Sequence, residues 1–293
     1  MLTLSLSALF LSIGCGIGFA ASDYFRKAVP PECPSIVLLL YFVAGQIPVL
    51  AIWLVWSQDY RLTPAYWVPG GLDVIAGLAG NLLFIGAVRR SPLSLMIPVL
   101  ALVPVFTAAI GAVALAEVPT LRQGVGAVLI VAGLVIVFMP EGSGLGRAMV
   151  GLTREPGLPL MLGAAACWSA TAILDKIAVA ASSVPLHGLL QTVSLVIAAL
   201  GWILFHHGPG GLRLAPGAAR PIAGAAIAAG LGYLFQLAAY MATQVALVEL
   251  IKRLTGVLSA LAVGRVMFGE PVTKAKLIGI AVILAGLPQV IFS

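Results

Sequence analysis

Charged residues are scarce in this sequence. Asp, Glu, Lys and Arg make up 9% of its 293 residues, against about 25% in soluble domains. A water-soluble fold of this length is excluded, because too few polar groups are present to face solvent. Cysteine is scarce as well. Cys15, Cys33 and Cys167 have no metal-ligand spacing, and their odd number excludes a complete disulfide framework. We read them as packing residues. His187, His206 and His207 have no ligand spacing with cysteine or carboxylates, so no metal is expected. There is no P-loop, which argues against direct ATP drive, and no HExxH or GxSxG nucleophile elbow. The expectation is a protein that is not an enzyme and holds no cofactor. The net charge of +6 is spread through short loops and not gathered in a tail. That distribution fits membrane topology and anionic lipid better than nucleic acid. The first apolar run, Leu2 to Ala21, lacks the preceding Lys or Arg of a signal peptide, so it is read as a spanning helix.

Apolar residues are abundant, at 61%. They fall into ten segments, approximately 3–27, 34–56, 68–88, 92–115, 120–139, 158–180, 184–206, 218–241, 245–268 and 273–292. Each has about the 17–25 residues that cross a hydrocarbon core of roughly 30 Å. Proline and glycine punctuate them, as at Pro30-Pro31, Ser91-Pro92, Pro119, Pro185 and Pro271. The expected fold is therefore all-α and integral to the membrane, with ten transmembrane helices.

The stretch from Leu247 to Glu270 carries Glu249, Lys252 and Arg253 within its first half. A charge at the bilayer centre costs roughly 2.5–3.5 kcal/mol on insertion scales, so two cations there call for a use. Helical spacing gathers Glu249, Lys252, Arg253, Gly256 and Ser259 onto one stripe, opposite Leu250, Ile251, Leu254 and Leu258. Lys252 and Arg253 lie seven to eight residues beyond Val245, about 11–12 Å along the axis. They either snorkel to the interface or offer a point charge and a planar fork to an anion. Glu249, one turn earlier, neutralises one of them, and the remaining charge favours an anionic or zwitterionic substrate. Tyr233, Gln236 and Tyr240 share one face of the eighth segment, and Asn81 sits at similar depth in the third. These side chains either contact a small ligand or bridge neighbouring helices.

The chain repeats itself. Ala116-Glu117-Val118-Pro119-Thr120 matches Gly269-Glu270-Pro271-Val272-Thr273, and at the same offset Gly126 falls on Gly279 and Ala132-Gly133-Leu134 on Ala285-Gly286-Leu287. Two repeats are expected, residues 1–140 and 157–293, joined by a loop over 141–156. Five helices is an odd number, so the second repeat must enter from the opposite side. Inverted repeats of this kind mark secondary transporters, with the site near the midplane. Pro98 and Pro104 each remove a backbone bond in the fourth segment and predict a bend or hinge. Asp23, Arg26 and Lys27, with Asp175 and Lys176, are either gate salt bridges or interfacial charges. The glycine pairs Gly126/Gly133 and Gly279/Gly286 predict close helix packing.

Over nearly its whole length the chain resembles the drug/metabolite transporter superfamily, in its ten-helix EamA-type branch. The resemblance rests on Ser91-Pro92-Leu93-Ser94 through Pro104 to Glu117, and on Val248 through Gly269-Glu270-Pro271 to Gly286. Ala116-Glu117 stands where Gly-Glu is commoner. The resemblance implies alternating access, with helices 1–4 and 6–9 around a central cavity and helices 5 and 10 outside it. It also implies that Trp168, Ser169 and Phe19 face the centre. Lys252-Arg253 is similar in placement to the Lys-Arg pair that holds substrate phosphate in the ninth helix of plastid phosphate translocators.

The expected function is a secondary active transporter, in a bacterial inner membrane, for an organic phosphate, phosphonate or carboxylate. Alternatives are an amino-acid or drug exporter driven by proton exchange, a flippase for a phosphorylated lipid head group, and an accessory membrane subunit. Expected partners are the substrate, membrane lipid, and a coupling proton or counter-substrate, but no nucleic acid, in a monomer or homodimer. Loops 1–2, 3–4, 5–6, 7–8 and 9–10 hold most Lys and Arg. The positive-inside rule then places both termini outside, whereas the resemblance implies cytoplasmic termini.

Overall fold

The computed structural model describes residues 6–114, 120–139, 151, 154–242 and 245–291. Regular structure among them is entirely helical. The first half holds α1 (Leu6–Ala28), α2 (Ser35–Ala44), α3 (Ile47–Ser57), α4 (Trp67–Arg90), α5 (Leu93–Val99), α6 (Val103–Ala114) and α7 (Leu121–Val137). The second half holds α8 (Leu158–Ala180), α9 (Val184–His207), α10 (Ala219–Ala242), α11 (Val245–Phe268) and α12 (Lys274–Ile291). Among the described residues, five stretches are long and apolar enough to cross a membrane: Leu6–Ala28, Ser35–Ser57, Pro64–Arg90, Leu158–Ala180 and Val184–His207.

Local chemistry sets the ends. Thr120 accepts from Gln123 N while Gln123 Oε1 accepts from Thr120 N, a reciprocal cap that starts α7. Ser183 caps α9, and prolines sit in the first turns of α8 and α9. Ser91 is extended before Pro92, which ends α4. The second apolar segment, expected as one helix, breaks at Gly45-Gln46. Pro48 has no N–H to give to Ala44, and Gly45 lets α10 approach so closely that a Cβ there would lie 2.6 Å from the Ala226 Cβ. The fourth segment bends as its prolines predict: α5 passes through a 3-10 turn, Leu100–Leu102, into α6.

Helices of the first half pack mainly on helices of the second. α7 lies along α12, α1 along α10 and α11, α4 along α8, and both α2 and α3 on α9. The α7–α12 seam is backbone on backbone. A Cβ on Gly133 would stand 2.6 Å from Gly279 O, and one on Gly126 would stand 2.8 Å from Gly286 O. The α1–α10 seam has the same character, since a Cβ on Gly18 would meet the Gly232 Cα at 2.6 Å. Inside the bundle lie Phe84, Leu38, Leu39, Met96, Met161 and Ile283, all fully buried. Large apolar side chains also cover the outside: Trp56, Leu121 and Phe205 are each 86% exposed. Apolar cover of this extent on a chain so poor in charge is what contact with lipid requires.

The seam generates a prediction. Gly133→Leu drives a branched side chain into the α12 backbone, and overpacking of this kind costs about 1–3 kcal/mol or more. The thermal melt of the detergent-purified variant drops by several degrees. Gly124→Ala, on the same helix with open space around it, leaves the melt unchanged or slightly higher.

Candidate functional site

The interior polar groups form three clusters along the bundle. The middle one is built around Lys252 of α11. Lys252 Nζ donates to Gln236 Oε1 of α10 at 3.0 Å and stands 5.7 Å from the centre of the Phe19 ring of α1. Cys15 Sγ of α1 approaches the same Gln236 oxygen at 3.8 Å. The ammonium thus has an amide and an aromatic face among its neighbours, both groups that favour a cation. Arg253 lies one residue on in the same helix. Asp23 of α1 is paired with Arg26. Arg26 is buried, with its guanidinium 4.1 Å from the Phe84 ring centre and 5.0 Å from that of Phe42.

The second cluster closes one end of the bundle. Buried Glu270 follows α11, and its carboxylate accepts from Leu93 N at 2.8 Å and Ser94 N at 2.9 Å, the first backbone groups of α5. Carboxylate on orphan helix N–H groups is a favourable, charge-assisted contact. Lys27 of α1 stands 3.8 Å from Glu270 and donates to Val88 O at 3.0 Å and Ser91 O at 2.7 Å. Lys276 of α12 donates to Ser94 Oγ at 2.9 Å and Pro271 O at 2.8 Å. Glu155 and Gly157 N, ahead of α8, both engage Ser91 Oγ. Ends of α1, α4, α5, α8, α11 and α12 meet here. Gly269 makes the turn with φ +65°, and Gly264 leaves the space that the Glu270 carboxylate fills.

The third cluster lies at the opposite end. Asp73 is about 22 Å along α4 from Val88, at 1.5 Å per residue. Asp73 is fully buried and hydrogen-bonded to Gln191 of α9. His187 Nε2 of α9 is 2.8 Å from Asp175 Oδ1 of α8 and 3.8 Å from Asp73 Oδ2. Its Nδ1 is 3.2 Å from the Tyr66 hydroxyl. Tyr233 of α10 packs on Gly188, where a Cβ would lie 3.2 Å from its hydroxyl. The carboxylate and imidazole atoms of Asp73, Asp175 and His187 lie within 4.8 Å of one another. Two carboxylates and an imidazole match divalent cations in donor type, but both imidazole nitrogens here are already engaged by Tyr66 and Asp175.

The fold brings together only some of the residues singled out in the sequence. Lys252 and Gln236 meet directly. Tyr233 shares a helix face with Gln236 but reaches toward the third cluster. Asn81 donates to Gly77 O of its own helix at 2.8 Å. Trp168 packs on Phe84, ring centres 5.2 Å apart, and fills the space beside Gly80. Lys27 belongs to the Glu270 cluster and Asp23 to Arg26, while Pro98 and Pro104 flank the bend of the fourth segment. The side chains of Glu249, Tyr240 and Lys176 lie outside the described residues. Sequence reasoning did not find Asp73, nor the meeting of His187 with Asp175. The signal for Asp73 was a lone acid six residues into an apolar helix. Two pockets of about 370 and 280 Å³ are apolar and lateral. The larger lies between α1 and α10, lined by Phe10, Ile17, Ala228, Leu231 and Phe235 among others.

An all-helical bundle with an apolar exterior and charges held inside it is an integral membrane protein. The model of the EamA-like transporter family matches residues 3–139 and again residues 155–291. The chain belongs to that family, within the drug/metabolite transporter superfamily, and is built from two copies of its domain. A solved protein structure shares the fold at TM-score 0.62 and 17% sequence identity, over 97% of this chain and 96% of its own. No curated protein matches the chain.

Glu270→Gln tests the closed end. Breaking a buried charged contact costs about 3–5 kcal/mol, because its partners remain in place. The variant melts well below the wild type, and Glu155→Gln, at the edge of the same network, loses less. Equal melting of Glu270→Gln and wild type would mean that the carboxylate holds nothing.

Proposed function

We propose that the chain is a secondary transporter that crosses the membrane ten times as two inverted five-helix repeats. It carries a small anionic or zwitterionic metabolite (an organic phosphate, phosphonate or carboxylate) across a bacterial inner membrane by alternating access. Membership of the EamA-like family supports transport. Helix direction supports inversion: α1 runs toward the Glu270 end and α8 runs away from it, as Lys27 and Gly157 mark. The observation that carries the substrate class is Lys252, inside the bundle where α1, α10 and α11 meet and held there by the neutral Gln236 amide. Along the sequence, Lys252, Arg253 and Arg26 supply three cations, while Asp23 (three before Arg26) and Glu249 (one turn before Lys252) supply two carboxylates. By formal charge these five groups leave one positive charge over, which an entering anion neutralises.

The role of each group follows from its chemistry. Lys252 supplies a point charge to the anionic group and Arg253 a planar, forked donor. Gln236, released from Lys252 when the anion arrives, has an amide to offer the rest of the substrate. Phe19 gives an apolar wall on the α1 side. In alternating access the Glu270 end and the Asp73 end open in turn, and the pair stays between them.

A thermal-shift screen of the purified protein tests this reading. A ligand at one hundred times its Kd adds about 2.7 kcal/mol to the folded state. Phosphorylated metabolites, phosphonates or carboxylates raise the melting point of the wild type and leave that of Lys252→Ala/Arg253→Ala unmoved. Equal stabilisation of both proteins would remove the pair from the site, and stabilisation by amines alone would reverse the sign of the substrate.

A further inference from the structure

We propose that Asp73, Asp175 and His187 form a proton-binding site, and that its loading and release are coupled to opening of the end of the bundle where they lie. The proposal rests on the transporter reading and adds the identity of the coupling ion and its place.

The cluster holds more negative charge than its surroundings answer. Asp73 is fully buried, and its Oδ1 has no hydrogen-bond partner among the described residues. No described Lys or Arg forms an ion pair with Asp73 or Asp175. Asp175, on the packed helix α8 and 44% exposed, nevertheless has a carboxylate oxygen within 4.8 Å of one on Asp73. A second carboxylate at that range disfavours ionisation of Asp73, which is fully buried with no cation paired to it among the described residues. A proton shared by the acids or placed on His187 removes the conflict. Every group on the surrounding elements fits that task. Tyr66 precedes α4, Asp175 is on α8, His187 and Gln191 are on α9, and Tyr233 is on α10. Tyr66, Asp175, His187 and Tyr233 each have a group that can give up or accept a proton, and Gln191 Nε2 donates to Asp73 and fixes it in place. A metal ion is disfavoured because His187 has both nitrogens turned to other partners.

The location gives the site its consequence. Asp73 belongs to the first half of the chain, and Asp175, His187 and Tyr233 to the second. With the proton bound, the cluster ties α4 to α8 and α9. With it removed, two like charges face each other across that contact and push the end apart. The Glu270 cluster at the other end has its carboxylate answered by Lys27 and by two backbone N–H groups, so no equivalent deficit arises there.

The test uses the full chain in lipid nanodiscs and the proton itself as the probe. Infrared spectra are recorded across a pH titration of the wild type, Asp73→Asn and Asp175→Asn. The expected result is a carboxylic-acid carbonyl band in the wild type that titrates with pH, vanishes in Asp73→Asn and is altered in Asp175→Asn. Spin labels at positions 59 and 120, both at this end, are expected to separate as the band is lost. In Asp73→Asn that distance no longer follows pH. Absence of the band in the folded wild type, or its survival in both variants, overturns the proton site. A pH-independent distance in the wild type overturns the coupling. Added Mn²⁺ that is immobilised by the wild type and not by Asp73→Asn, read by electron paramagnetic resonance, overturns the proton in favour of a metal. None of these measurements needs a substrate. Failure of the anion screen therefore leaves this result standing, and failure here leaves the anion site untouched.

Discussion

A charge taken out of water into the interior of a membrane protein must be answered by something, and the partners that answer each charge organise the bundle. Each cluster answers differently. Glu270 is met by the first N–H groups of α5 and by Lys27. Lys252 is met by the Gln236 amide and the Phe19 face. Asp73 is met by Gln191, with Asp175 nearby and no cation paired to it among the described residues. The first is a closed contact. The third leaves negative charge over among the described residues, which is what a proton would use, and the second holds the ammonium that the proposed substrate anion would meet.

The clusters stay separated because the frame between them is close-packed. Glycine pairs bring α7 onto α12 and α1 onto α10 at backbone distance, which suits helices that gain no hydrophobic drive from association in lipid. Among the described residues, α12 joins the polar clusters only through Lys276 in its first turn, and beyond that point its contact with α7 is a brace alongside the core. α4 and α8 reach from one end cluster to the other, with Trp168 and Phe84 packed between them. A change at one end of α4 therefore has a stiff element along which to reach the other.

Much of this frame was legible in the sequence. Apolar length gave the helices, the Ala116-Glu117 and Gly269-Glu270 turns gave the repeat, and the spacing of Gly126, Gly133, Gly279 and Gly286 gave the α7–α12 seam. The prolines at 98 and 104 gave the bend, though Pro48 and Gly45 were passed over because apolarity runs straight through them. The sites were harder to read, since they depend on which helices become neighbours. Lys252 and Gln236 were both marked, but nothing along the chain says that they touch. Glu270 was marked as part of a turn, while its role is to reach residues 93 and 94 on another helix. His187 was set aside for want of nearby ligands, and its partners, Asp73 and Asp175, come from two other helices. Spacing rules find constellations on one helix; this one needs three.

The central claim is that the space beside Lys252 faces each side of the membrane in turn. Phe19, whose ring lies 5.7 Å from the Lys252 ammonium, is the place to ask. The measurement is labelling of Phe19→Cys, with the three native cysteines replaced, in sealed vesicles of both orientations, by a thiol reagent that does not cross lipid. Labelling from both faces, slowed by an anion that binds, is the predicted result. Labelling from one face alone, under every condition that keeps the protein folded, would contradict alternating access.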